Sequence, residues 1–144
     1  MDLDRTLRTT GAVRSFTDDA VGDATIAAIL DTARFAPSGG NRQPWRVASV
    51  RDASVRRRLA ELMQPVWDEY TAARNEGISP FNPIDHRTPA DIPHAPNQLL
   101  DELADAPAVL VVAADLRSLA VMDGELDRAS IVGGGSIYPF CWSI

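Results

Sequence analysis

The sequence contains no lysine, a single cysteine (Cys141) and only two histidines (His86 and His94). One cysteine excludes an internal disulfide, and so few soft side chains fall short of a structural zinc set. Basic residues are outnumbered, 14 Arg against 20 Asp plus Glu for a formal net charge of -6. Nucleic-acid binding needs a basic face, so this balance excludes it as a general activity. The longest uncharged run, 129–144, is shorter than a bilayer span and holds three consecutive glycines, so no membrane partner is expected. No apolar core follows a basic start, and the cytoplasm is the expected compartment.

What remains is an ordinary globular composition. With 144 residues, of which 45% are hydrophobic, the chain can bury one core and is read as a single domain, 1–144. Charge is distributed unevenly. Residues 1–72 balance ten Arg against ten acidic residues, whereas 73–144 set four Arg against ten and supply the whole -6. Arg binds phosphate with a bidentate fork, so an anion site is sought in the N-terminal half.

Asp23 reads as the N-cap of a helix with Ile26, Ile29, Leu30 and Ala33 on one face, ending before Pro37. Residues 45–50 read as a strand. A helix is expected from Ala53 to Met63, with Val55, Leu59, Leu62 and Met63 on its apolar face and Arg56, Arg57 and Arg58 in solvent. Pro65 then opens a further helix bearing Val66, Trp67, Tyr70 and Ala73. Five prolines between residues 77 and 96 mark an irregular excursion or lid. Leu99, Leu100 and Leu103 follow on a short helix. Residues 108–114, apolar without alternation, predict a strand covered on both faces. Helices interleaved with strands point to a three-layer α/β or α+β sandwich. The uncharged end, 131–144, reads as a buried helix that breaks off, either a terminus that inserts into a partner or, the favoured reading, the end of a fragment of a longer protein.

Two segments offer binding chemistry. The stretch Ala36-Pro37-Ser38-Gly39-Gly40-Asn41-Arg42-Gln43-Pro44-Trp45 joins helix to strand. Its glycines permit close backbone approach, and Asn and Gln match the alternating donors and acceptors on the edge of a planar heterocycle. The same composition also suits a plain helix-ending turn. Arg14, among Thr9, Thr10, Ser15 and Thr17, reads either as a phosphate cradle or as a solvated residue ahead of a core Phe16. His86 and His94, with Asp85 and Asp91, read as solvated loop residues, and no metal is assigned to them. No Cys/His or Ser/His/Asp set suggests a nucleophile.

Taken together, Val13-Arg14-Ser15-Phe16, the loop from Ala36 to Arg46, Ala106-Pro107-Ala108-Val109-Leu110-Val111-Val112 and Gly134-Gly135-Ser136-Ile137-Tyr138-Pro139-Phe140 resemble the FMN-dependent nitroreductase family in order and spacing. The resemblance covers the N-terminal two-thirds or so of such a protein. It implies a three-layer α/β/α sandwich of the α+β class, with a mostly antiparallel central sheet, here lacking its C-terminal part. It also implies an interwoven homodimer with FMN at each interface, NAD(P)H as hydride donor, and a small oxidised acceptor such as a nitroaromatic or quinone. Arg14 would hold the flavin phosphate. Thr10, Gly11 and Ala12 stand where the family commonly has basic residues and a serine. From the other subunit Pro37, Ser38, Gly39 and Asn41 would line the ring, with Gln43 close behind, and Ser136 would let its helix approach. The resemblance names no catalytic side chain, because the cofactor carries the chemistry. Two other readings stay open: a non-catalytic relative binding FMN or another planar ligand, and a flavin-free dimeric interaction protein.

Overall fold

The computed structural model describes residues 2–130, 132 and 134–144. Ile131 and Gly133, part of the uncharged C-terminal stretch, lie outside the described residues. In chain order the elements are α1 (Leu3–Thr9), α2 (Asp23–Ala33), β1 (Trp45–Val50), α3 (Ala53–Asn75), α4 (Gln98–Asp101), β2 (Val109–Ala114) and α5 (Tyr138–Ser143). β1 and β2 pair antiparallel, with Trp45 opposite Ala114 and Val50 opposite Val109. This is an α+β fold.

Alternation along the strands decides which side of the sheet is covered. Trp45, Val47 and Val112 face the core with Leu30, Ala33 and Ala36 around the end of α2 and Ile137 and Phe140 around α5. The Phe140 ring stacks on Trp45 with centroids 4.6 Å apart and planes 11° from parallel. Val111, on the opposite side of β2, stays exposed. The expected strand covered on both faces is therefore covered on one. Among the described residues the sheet has two strands, and α2 and α5 pack on a single side of them.

Several local expectations are corrected. Gly22, not Asp23, is the N-cap of α2. Asp23 begins the helix, and its carboxylate pairs with Arg51 across the turn. The expected pair of helices around Pro65 is one helix of 23 residues, capped by Asp52 through the amides of Ser54 and Val55. Pro65 removes one ladder bond, but long helix-forming runs flank it, and side-chain bonds from Gln64 and Asp68 to residue 95 hold the next turn. The apolar face expected of 53–63 is largely solvated, since Val55, Leu62 and Met63 are about half exposed. Arg56, expected in solvent, is half-buried. Its guanidinium donates to the carbonyls of Ala104 (2.8 Å) and Arg51 (3.1 Å), stapling α3 to the turn after α4. The C-terminal helix is buried only at Phe140, which is 2% exposed against 68% for Trp142. Phe16, expected in the core, is half exposed.

Residues 78–97 form neither helix nor strand. Side-chain bonds hold them against α3 and its C-cap. Glu76 Oε1 accepts from the Ala90 amide, Asp68 Oδ1 accepts from the Ala95 amide, and the Trp67 indole donates to the Pro96 carbonyl. The Ala95 amide holds the Asp68 carboxyl below its ordinary range. No helix among the described residues is long and apolar enough to cross a membrane.

Candidate functional site

The loop between α2 and β1 contains a short 3-10 turn, Gly39–Asn41, and has an uncommon backbone. Gly40, Asn41 and Gln43 all have positive φ (61°, 52° and 48°). Glycine adopts this region freely and asparagine tolerates it, but for glutamine it is a strained conformation that surrounding bonds must hold. The bonds are present. Ser38 Oγ accepts from the Gln43 amide at 3.0 Å, and the Ser38 carbonyl accepts from the Asn41 amide at 2.8 Å. The Gln43 side-chain amide donates to the Arg34 carbonyl and to Asn41 Oδ1, both at 3.3 Å. Pro44 is fully buried and anchors the exit, its carbonyl accepting from the Asp115 amide at 2.7 Å.

Strained backbone held by several independent bonds is a mark of binding loops. The bonding pattern also shows what this turn offers outward. Both Gln43 amide hydrogens are committed, leaving its Oε1 as an acceptor, while the Asn41 amide nitrogen keeps both donors. Among the described residues neither group has another partner, and both side chains are exposed. A donor and an acceptor side by side suit a polar heterocyclic edge.

Asp115 braces the turn from the end of β2. It receives the Arg117 guanidinium at 2.9 Å and that of Arg46 at 3.5 Å, while Arg46 also donates to the Trp45 carbonyl. The neighbouring Arg117 guanidinium holds the Asp115 carboxyl at about 2, against the opposing effect of partial burial. A depressed folded-state value means that this contribution to stability is complete above about pH 4 and is lost as the pH falls toward 2. Asp115→Asn is accordingly expected to flatten urea-unfolding stability against pH across that window; an unchanged acid limb would remove the pair from the account. Nothing in the sequence beyond the end of a strand marks Asp115 for this task.

The sequence-predicted residues fall into two groups. Pro37, Ser38, Gly39, Asn41 and Gln43 lie together in the turn. Ser136 joins them from behind: it is 9% exposed, and its Oγ accepts from the Gly39 amide at 3.0 Å. Arg14 lies elsewhere, on the rim of a recess of about 380 Å³ walled by Met63, Val66, Trp67, Tyr70, Phe81 and Leu99. Trp67 and Tyr70 stack there at 5.6 Å. Arg14 makes no ion pair or hydrogen bond among the described residues. Thr10 ends α1, its hydroxyl donating to the Thr6 carbonyl at 2.7 Å, and Gly11 and Ala12 are exposed without side-chain polar groups. His94 sits 3.5 Å from Asp68, and Asp85 pairs with Arg87. No three metal-ligating side chains gather among the described residues.

The profile of the nitroreductase family matches residues 7–132, and the chain belongs to that family. A Streptomyces coelicolor protein with the provisional name NADH dehydrogenase/NAD(P)H nitroreductase is 37% identical over 82 residues, 56% of this chain and 39% of that protein. Nitroreductase NfnB of Mycolicibacterium smegmatis is 42% identical over 60 residues, covering 42% of this chain and 25% of its own. A 5,6-dimethylbenzimidazole synthase of Rhodospirillum rubrum is 41% identical over 78 residues, 46% of this chain and 37% of the synthase. The chain thus spans well under half the length of these relatives.

Proposed function

We propose that this chain is the flavin-binding part of an oxidoreductase that passes hydride from NAD(P)H through FMN to a small oxidised acceptor, and that it works as a cytoplasmic homodimer. Membership of the nitroreductase family supports the oxidoreductase class. The name of the Streptomyces coelicolor relative joins NAD(P)H to nitroreduction, and that of the Mycolicibacterium smegmatis relative is a nitroreductase; both are in keeping with a nicotinamide donor and a nitroaromatic acceptor.

The observation that carries the reading is the turn at residues 40–43, left-handed at Gly40, Asn41 and Gln43, braced from behind and presenting a donor and an acceptor outward. These residues fit FMN. The Asn41 donors and Gln43 Oε1 match the alternating polar edge of its pyrimidine ring, and Pro37, Ser38 and Gly39 give that edge a low wall of backbone. A free guanidinium at Arg14 fits the phosphate. Among the described residues, neither of the two recesses that Arg14 lines includes a residue of the turn, which suits a site completed by a second copy. When bound, FMN supplies the hydride-accepting and hydride-donating chemistry. The side chains then need only bind, orient and shield the cofactor. That is consistent with a site lacking any nucleophile–base pair.

The test is a titration of FMN followed by quenching of its fluorescence. Saturable quenching is expected for the wild-type protein. Asn41→Leu should weaken binding by about tenfold and move the visible absorption band of bound flavin toward that of free FMN. A wild-type spectrum in that variant would remove the turn from the site. A second reading, binding without turnover, is favoured by residues 10–12, which bring no charged side chain to the phosphate end. Bleaching of bound flavin by NADH or NADPH distinguishes the two.

A further inference from the structure

Ser136 enters the flavin reading as a residue close to the cofactor, yet it is buried behind the turn and its hydroxyl is turned to protein. Its Oγ accepts from the Gly39 amide. Among the described residues this is the only hydrogen bond that ties residues 38–43 to a distant part of the chain, 97 positions away. The remaining bonds of the turn are to its own members, to Arg34 just before it and to Arg46 just after it.

The far end of this tether is itself held by bonds and packing. The Ile137 amide donates to the Gly134 carbonyl at 2.9 Å, and the Cys141 amide donates to the Ile137 carbonyl at 3.0 Å. Ile137 packs on the central cluster, and Phe140, one helical turn on, is stacked against Trp45. The contact at Gly39 is not a steric plug, since a methyl group added there would sit 3.5 Å from Ser136 Oγ, an ordinary separation. What Ser136 supplies is an acceptor. Without it the Gly39 amide is left without a partner behind the turn, and the left-handed conformations at Asn41 and Gln43 lose a restraint against relaxing to right-handed ones.

We propose that Ser136 is a positioning residue: its hydroxyl holds the Gly39 amide and thereby sets the turn in the shape that presents Asn41 and Gln43 to the flavin edge. This rests on the flavin reading above and extends it to a residue that touches no cofactor. It also makes the apolar C-terminal helix part of the binding site's framework, because α5 fixes where the acceptor stands.

The experiment compares the intact wild-type protein with Ser136→Ala and Ser136→Thr, which keeps the hydroxyl. Amide exchange at Gly39 is followed by NMR without FMN, and FMN itself is then titrated. Ser136→Ala should exchange Gly39 at least about tenfold faster while amides within β1 keep their protection. It should bind FMN about five- to twentyfold more weakly, with a shifted visible band, and Ser136→Thr should restore all three readouts. Equal FMN affinity in the wild-type and alanine proteins overturns this inference alone. Absence of FMN binding by the wild-type protein overturns the flavin reading and takes this inference with it.

Discussion

Phe140→Ala is expected to lower the unfolding free energy by about 3–5 kcal/mol, a large share of the total stability of a domain this size. The side chain is almost fully buried and stacks on Trp45 at the centre of the cluster in which α2, the sheet and α5 meet. Its removal deletes the transfer free energy of a benzyl group and leaves a cavity that the Trp45 indole and the methyl groups of Ala33 and Ala36 cannot close. Urea unfolding is the check: the midpoint should fall while the slope stays near that of the wild-type protein. Phe140→Leu, which keeps most of the volume but not the stack, should cost less than half as much. A loss below about 1 kcal/mol for the alanine variant would show that α5 does not anchor the core.

Arg14→Ala should weaken FMN binding by at least about tenfold. Among the described residues the guanidinium has no partner to be released from, so its bond to phosphate is a net gain on binding. It stands at the mouth of an apolar recess, where nearby low-dielectric walls strengthen an ionic contact. The wild-type affinity should fall with added salt, more steeply than that of the variant. Arg14→Lys should recover part of the loss, since an ammonium keeps the charge but not the two-pronged geometry. Unchanged affinity in Arg14→Ala would remove this residue from the site.

Elements built from strong local signals were legible in the sequence. The apolar runs 45–50 and 109–114 are the two strands, and the spacing of Ile26, Ile29, Leu30 and Ala33 is the packed face of α2. The features that escaped depend on distant partners. Pro65 reads as a boundary because its ring removes a helical bond, yet α3 runs through it. Arg56 looks like one more solvated charge in a run of three until the carbonyls of Ala104 and Arg51 come within reach. α1 has no buried residue. Its only signals are the Asp2 cap and the Asp4–Arg8 pair, too weak to find without an apolar stripe.

The candidate site divides in the same way. The composition of residues 36–45 announced a loop able to approach a ligand closely, and the nitroreductase resemblance supplied its ring-binding assignment. The left-handed backbone of Gln43 was not legible, because glutamine has no preference for it and the cause lies in Ser38, Arg34 and Asn41 acting together. Nor was the tether from Ser136, whose partner is a backbone amide without any sequence signature.

The central claim is that one FMN is held by Arg14 of one copy and the turn at residues 37–43 of another. Coexpressing Arg14→Ala with Asn41→Leu tests it directly, because each mixed dimer then contains one site with both defects and one with neither. Random assortment should restore wild-type FMN affinity to about a quarter of all sites, although each variant alone binds weakly. If the mixture binds no better than the two variants measured separately, both residues serve the same chain's site and the shared-site account is wrong.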